Sequence, residues 1–130
     1  MGRYRNLELT DLVKTPGESV YPVYRDWMIP TKEVKGQYQI YTYFPYEKER
    51  EFELYVMEIE PDCSYISGAH GENTKEYIMV KSGKLKLRVD KESYIVKAGD
   101  AIRFDSDKEH EYYNAGDEKM ELICVFSYSA

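Results

Sequence analysis

A surplus of basic residues, long apolar runs and closely spaced cysteines are all missing from this chain, and each absence excludes a class of function. Lysine and arginine number 18 against 24 aspartates and glutamates, a formal net charge of −6. Gripping a phosphate backbone needs Lys and Arg gathered on one face, so no direct nucleic-acid binding by this chain is expected. The cluster Lys81-Ser82-Gly83-Lys84 reads as a solvated turn. No apolar run approaches the roughly 18 residues that would cross a bilayer, and the opening residues do not read as a signal peptide, so no membrane association is expected. The two cysteines, Cys63 and Cys124, lie too far apart in sequence to make a zinc motif on their own. Since nothing else points to export, no disulfide is expected, and the cytoplasm is the expected compartment. Tryptophan occurs once and phenylalanine 4 times, whereas tyrosine occurs 14 times. Tyrosine favours strands, and its hydroxyl suits half-wet walls and pocket linings.

A chain of 130 residues fits one domain and buries roughly two thirds of its unfolded surface, enough to fold without staples. The first forty residues carry the least pattern. Leu7 to Val13 reads as a helical turn or a leading strand, and Thr15-Pro16-Gly17-Glu18 as a turn. Val20 to Tyr24, broken by Pro22, reads as an edge strand or extended arm. Short strands follow: 37–44, 52–59, 76–80, 85–89, 93–97, 101–104, 110–113 and 120–128. Turns separate them, with Ser82-Gly83 read as a hairpin and Asp90-Lys91-Glu92 and Asn114 to Asp117 as further turns. Alternation sets Leu85, Leu87 and Val89 on one face and Lys84, Lys86 and Arg88 on the other, a strand between core and water. Many short strands with almost no helical periodicity predict an all-β sandwich or barrel. The expected organisation is an N-terminal arm over 1–36 packing on a barrel over 37–130.

Chemistry-bearing residues are few. The only histidines are His70 and His110. Glu76 shares a strand face with Ile78 and Val80, and His110 shares one with Tyr112. A carboxylate or imidazole on the apolar side of a strand is costly unless paired or metal-bound, so Glu76 and His110 are the best pocket candidates. The competing reading places both histidines in surface loops and leaves Glu76 solvated. Tyr112 and Tyr41 are further candidate ligand contacts, although the face that Tyr41 and Tyr43 share is open. Arg103 is expected to face out, with Ile102 and Phe104 in the core.

The order of these residues adds to the pattern. The stretch from Pro61 to Gly83 resembles the first motif of the cupins, in which a His-x-His pair is followed by Glu and then Gly at set spacing. His70 takes the first His position, and six residues separate Glu76 from Gly83. Gly99-Asp100-Ala101-Ile102-Arg103-Phe104, leading to His110 and Asn114, resembles the second motif. The resemblance covers about residues 52–128 and implies a single-domain jelly-roll barrel (a double-stranded β-helix). It departs from the family at Glu72, which stands where the second histidine belongs. The resemblance implies either one divalent ion (Zn, Mn, Fe or Ni) on His70, Glu72, Glu76 and His110, or a polar ligand hydrogen-bonded by the same groups. Both remain open at this point.

The nine-residue step from Pro61 to His70 and the opening Leu9-Thr10-Asp11-Leu12-Val13 resemble the C-terminal cupin half of XRE-type helix-turn-helix regulators. No helix-turn-helix can be placed within these residues, so the chain is either an excised domain or a free-standing relative. That resemblance implies a cupin that binds a small-molecule effector, with DNA contact left to another domain, and a homodimer through sheet edges or exchanged N-terminal strands. The alternative is a free-standing metal-dependent cupin enzyme (a dioxygenase, isomerase or decarboxylase) using His70, Glu76 and His110 as a facial triad. Nothing positive supports a purely structural barrel.

Overall fold

The computed structural model describes residues 19–128; the expectations for Leu7 to Val13 and Thr15 to Glu18 lie outside them. After an irregular lead-in and one 3-10 turn at Arg25–Trp27, ten strands follow: β1 Lys32–Val34, β2 Tyr38–Phe44, β3 Phe52–Ile59, β4 Ser64–Ser67, β5 Thr74–Ser82, β6 Lys84–Val89, β7 Glu92–Lys97, β8 Ala101–Asp105, β9 His110–Asn114 and β10 Met120–Tyr128. They form a six-stranded sheet, β1-β2-β3-β10-β5-β8, facing a four-stranded sheet, β4-β9-β6-β7. Every strand pair is antiparallel. This is the all-β organisation that the run of short strands predicts, in the jelly-roll form that the cupin resemblance implies. Among the described residues no helix is long and apolar enough to cross a membrane.

Alternation builds the core. β10 turns Met120, Leu122, Cys124 and Phe126 inward, and β5 turns Thr74, Glu76, Ile78 and Val80 inward. From the facing sheet, β6 supplies Leu85 and Leu87, and β9 supplies His110, Tyr112 and Asn114. Fully burying one such leucine stabilises by about 1.5–3 kcal/mol. Asn114 is fully buried yet satisfied: its Nδ2 donates to the carbonyls of Ile59 and Glu118, both at 2.8 Å, and its Oδ1 accepts from the Gly116 N–H at 2.9 Å. The Asn of the second motif is therefore a turn clamp.

Three expectations change. The segment Val20 to Tyr24 forms no strand, so of the two readings its sequence offered only the extended arm stands. The stretch at Ser82-Gly83 is not a hairpin, because β5 and β6 belong to different sheets and the chain crosses between layers there. Gly83 makes that crossing possible: its φ is +89°, and a Cβ would lie 2.8 Å from Met120 Cα. Finally, the sheet starts at Lys32 rather than at residue 37, because β1 pairs with β2 through Lys32↔Ile40, Glu33↔Gln39 and Val34↔Tyr38. The lead-in is held by Arg25, whose guanidinium lies 3.4 Å over the Tyr41 ring and pairs with Glu58 at 3.0 Å. β1 and β4 went unpredicted because strands of three and four residues are too short to display a period.

Candidate functional site

At one end the two sheets part around a cavity of about 600 Å³. Its six-stranded wall carries Ile40 and Thr42 of β2, Tyr55 and Met57 of β3, and Phe126 of β10. Tyr65, Ser67 and Tyr112 form the opposite wall, the loop His70-Gly71-Glu72 closes one side, and Thr31 and Lys32 stand at the β1 rim. These walls follow from alternation, since Tyr55 shares its strand face with Met57 and Ile59.

Glu76 is fully buried and does not line the cavity itself; it lies behind the lining residues Tyr55 and Tyr112. The hydroxyl of Tyr112 donates to its Oε1 and that of Tyr55 to its Oε2. Burial pushes the Glu76 carboxyl up to about 7, against the pull of the Tyr112 and Tyr55 hydrogen bonds, which favour the charged form. Burial also pushes the hydroxyls of Tyr55 and Tyr112 and the thiol of Cys124 well up.

His110 is fully buried, and its Nδ1–H donates to the Lys108 carbonyl at 2.8 Å. With that proton placed, Nε2 of the neutral ring is a bare acceptor, and it is buried without a partner. Burial holds the His110 pKa below the usual histidine range. His70 stands on the exposed loop, anchored by its backbone N–H to the Ser106 carbonyl at 2.9 Å. Its ring meets Phe126 edge-on at 4.5 Å and lies 5.5 Å from the His110 ring, with Nε2 3.2 Å from Ser67 Oγ. Its pKa is lowered, first by burial and then by His110 and Lys32.

The structure thus brings the two histidine rings together and sets Tyr112 between His110, 5.3 Å away ring to ring, and Glu76. Tyr41 does not join them. It lies on the opposite face of β2 from Ile40 and Thr42, beneath the Arg25 guanidinium, with its hydroxyl on Gln39 Oε1 at 3.1 Å. The expectation that it contacts a ligand fails because the arm covers the outer face of β2. Arg103 faces out, and Phe104 and Ile102 pack in the core.

A divalent ion does not fit this donor set. Both Glu76 oxygens are engaged by tyrosine hydroxyls, Glu72 is exposed, and His70 Nε2 sits against Ser67. Among the described residues no group of three or more His, Cys, Asp or Glu side chains is arranged to hold a metal. The four-residue ligand set of His70, Glu72, Glu76 and His110 is therefore not assembled, because two tyrosines fill the space in front of the carboxylate.

Most of the cavity-lining residues were missed from sequence, Tyr55, Lys32, Tyr65 and Glu53 among them. Tyr55 had a signal, since a tyrosine on the core face of β3 needs a buried acceptor. Lys32 and Tyr65 sit on the two short unpredicted strands; Lys32 Nζ donates to Tyr65 Oη at 2.8 Å. Glu53, whose Oε2 accepts from the Tyr128 hydroxyl, had no local signal.

Two antiparallel sheets in this strand order, with the first-motif loop His70-Gly71-Glu72 at the cavity and His110 packed behind it against His70, define a cupin-type barrel. The Cupin_2 model, described as "Cupin domain", matches residues 55–126, and the chain belongs to that family. It is 28% identical over 85 residues to the HTH-type transcriptional regulator SutR of Escherichia coli K12, covering 65% of this chain and 48% of that protein. The chain thus spans about half the length of this curated relative. Among solved structures it is similar to an HTH_3 family transcriptional regulator from Vibrio cholerae, with a TM-score of 0.67 and 28% identity over 72% of this chain and 52% of that one. The Cupin_2 domain of an XRE family transcriptional regulator from Enterobacter cloacae also has a TM-score of 0.67, at 22% identity, covering 72% of this chain and 98% of that one.

Proposed function

We propose that this chain is the effector-binding half of a transcription regulator, taking a small organic molecule into the barrel cavity and leaving DNA contact to a separate helix-turn-helix segment. The observation that carries this reading is the cavity itself. It is concave, aromatic-walled and open, and at about 600 Å³ it falls within the usual size range for small-molecule sites. The similarity to HTH-type regulators over the cupin part alone supports the division of labour, as does the net charge of −6. Ligand binding here bridges sheets through side chains, since Tyr55 and Phe126 come from one layer and Tyr65 and Tyr112 from the other. A molecule seated between them changes how the layers pack near the loop at His70, a route by which occupancy reaches the rest of a regulator.

The test is native mass spectrometry of the chain after incubation with a cellular metabolite extract. One small molecule should be retained at unit stoichiometry, and it should be lost in Thr42→Trp, which places an indole in the cavity from β2. Retention of nothing by the wild-type chain, or equal retention by the plugged variant, overturns the reading.

A further inference from the structure

We infer that the ligand of this cavity is a small organic cation, an amine or quaternary ammonium on an apolar body; the inference rests on reading the cavity as a ligand site. Five aromatic rings line it: Tyr55, Tyr65, Tyr112, Phe126 and Tyr128. Aromatic faces carry negative quadrupole charge and attract ammonium groups once water is excluded. The charged groups on the wall point the same way. Glu53 and Glu72 both line the cavity, and Glu76 is held by two of its tyrosines, Tyr55 and Tyr112. Against these three carboxyl groups stands one lysine, Lys32, and burial biases His70 towards its neutral form.

Lys32 is itself the most telling residue. Its ammonium makes no ion pair with a carboxylate among the described residues. Instead it lies 5.4 Å from the centroid of the Tyr65 ring and donates to that residue's hydroxyl at 2.8 Å. It is carried by β1, a three-residue edge strand exposed at every position, so little packing compels it to sit there. The chain's own edge supplies an ammonium to the aromatic wall, as a tethered stand-in for a free one. An organic cation then competes with Lys32 for the Tyr65 face, whereas an organic anion would use Lys32 as its partner. The two ligand classes therefore demand opposite responses to removal of this one charge.

The test uses four related phenyl probes at about pH 8, where aliphatic amines remain protonated. Phenethylamine and benzyltrimethylammonium are the cations, 2-phenylethanol the neutral control and 3-phenylpropionate the anion, each titrated calorimetrically into the full chain. The cations should bind about tenfold or more tighter than the alcohol, and the anion more weakly still. Lys32→Met, an exposed change that leaves the core untouched, should tighten the cations by about three- to tenfold, and Glu53→Gln should weaken them by a similar factor. Thermal melts of both variants matching wild type establish that they fold. Three results overturn the inference: 3-phenylpropionate binding best, Lys32→Met weakening the cations, or the alcohol matching the amine. Each of those leaves the cavity a ligand site. Failure of all four probes also overturns it, and metabolite retention with the Thr42→Trp control then decides the broader reading separately.

Discussion

The same strands build two different ends of the barrel. At the closed end, Ile59, Val80, Leu85, Leu87, Met120 and Leu122 meet across the layers with at most trace exposure. A few residues further along β3, β5, β9 and β10 the inward positions become Tyr55, Glu76, Tyr112, His110 and Phe126. Strand direction and pleat are unchanged between the two ends. What differs is whether the inward side chains satisfy one another by dispersion alone or need hydrogen-bond partners. The closed end contributes stability through area, and the open end trades some of that for a cavity with directed polar atoms.

The sharpest way to break this contrast is at the closed end. Leu87→Ala should cost about 2–5 kcal/mol, read from the shift in urea midpoint, because close packing leaves a cavity behind. A loss under about 1 kcal/mol would mean that this end is not packed as a core.

The next effect is pH-dependent and belongs to the open end. The Glu76 carboxyl titrates near 7 in the fold, against roughly 4.3 in an unfolded chain. The folded chain thus holds this proton more tightly. The resulting stabilisation is complete below about pH 4 and is lost as the pH rises through about 7, a swing on the order of 4 kcal/mol. His70 and His110, with lowered pKa values, act in the opposite direction, adding stability above their unfolded pKa that is lost on acidification. Comparison with Glu76→Gln cancels them. Relative to that variant, wild type should lose stability between about pH 4 and pH 7, and parallel stability curves would refute the placement of Glu76.

Smaller again is Tyr112→Phe, which removes one donor from Glu76 and keeps the ring. It should cost about 1–3 kcal/mol by equilibrium unfolding above pH 7, where the carboxylate is charged. The smallest effect is expected at Glu72. Because it is exposed, Glu72→Gln should shift stability by no more than about 0.5 kcal/mol and leave the response to added Zn²⁺ or Mn²⁺ unchanged. A metal-dependent rise in melting temperature, abolished by this substitution, would restore Glu72 as a ligand.

Much of this architecture was legible without coordinates. Eight of the ten strands have a readable period or bounding turns, and β3 and β10 carry the expected bounds, Phe52–Ile59 and Met120–Tyr128. The inward direction of Glu76, His110 and Tyr112 follows from alternation alone. Tyr41 shows the limit of that argument. Alternation separates it from Ile40 and Thr42, but both faces of β2 are covered, one by the core and one by Arg25, so burial did not reveal which face held the cavity.

Alternation, turn residues and the two motifs by themselves determined an all-β barrel with Glu76, His110 and Tyr112 on inner faces, because strand period and turn chemistry are local properties of the chain. Only the tertiary structure decided what those inner groups do. The pairing of Glu76 with Tyr55 and Tyr112 joins residues 21 and 36 positions apart in sequence, and the meeting of Lys32 with Tyr65 spans 33. Such pairings depend on which strands become neighbours and which layers face each other. They turn a carboxylate that the motif offers to a metal into one held by two phenols.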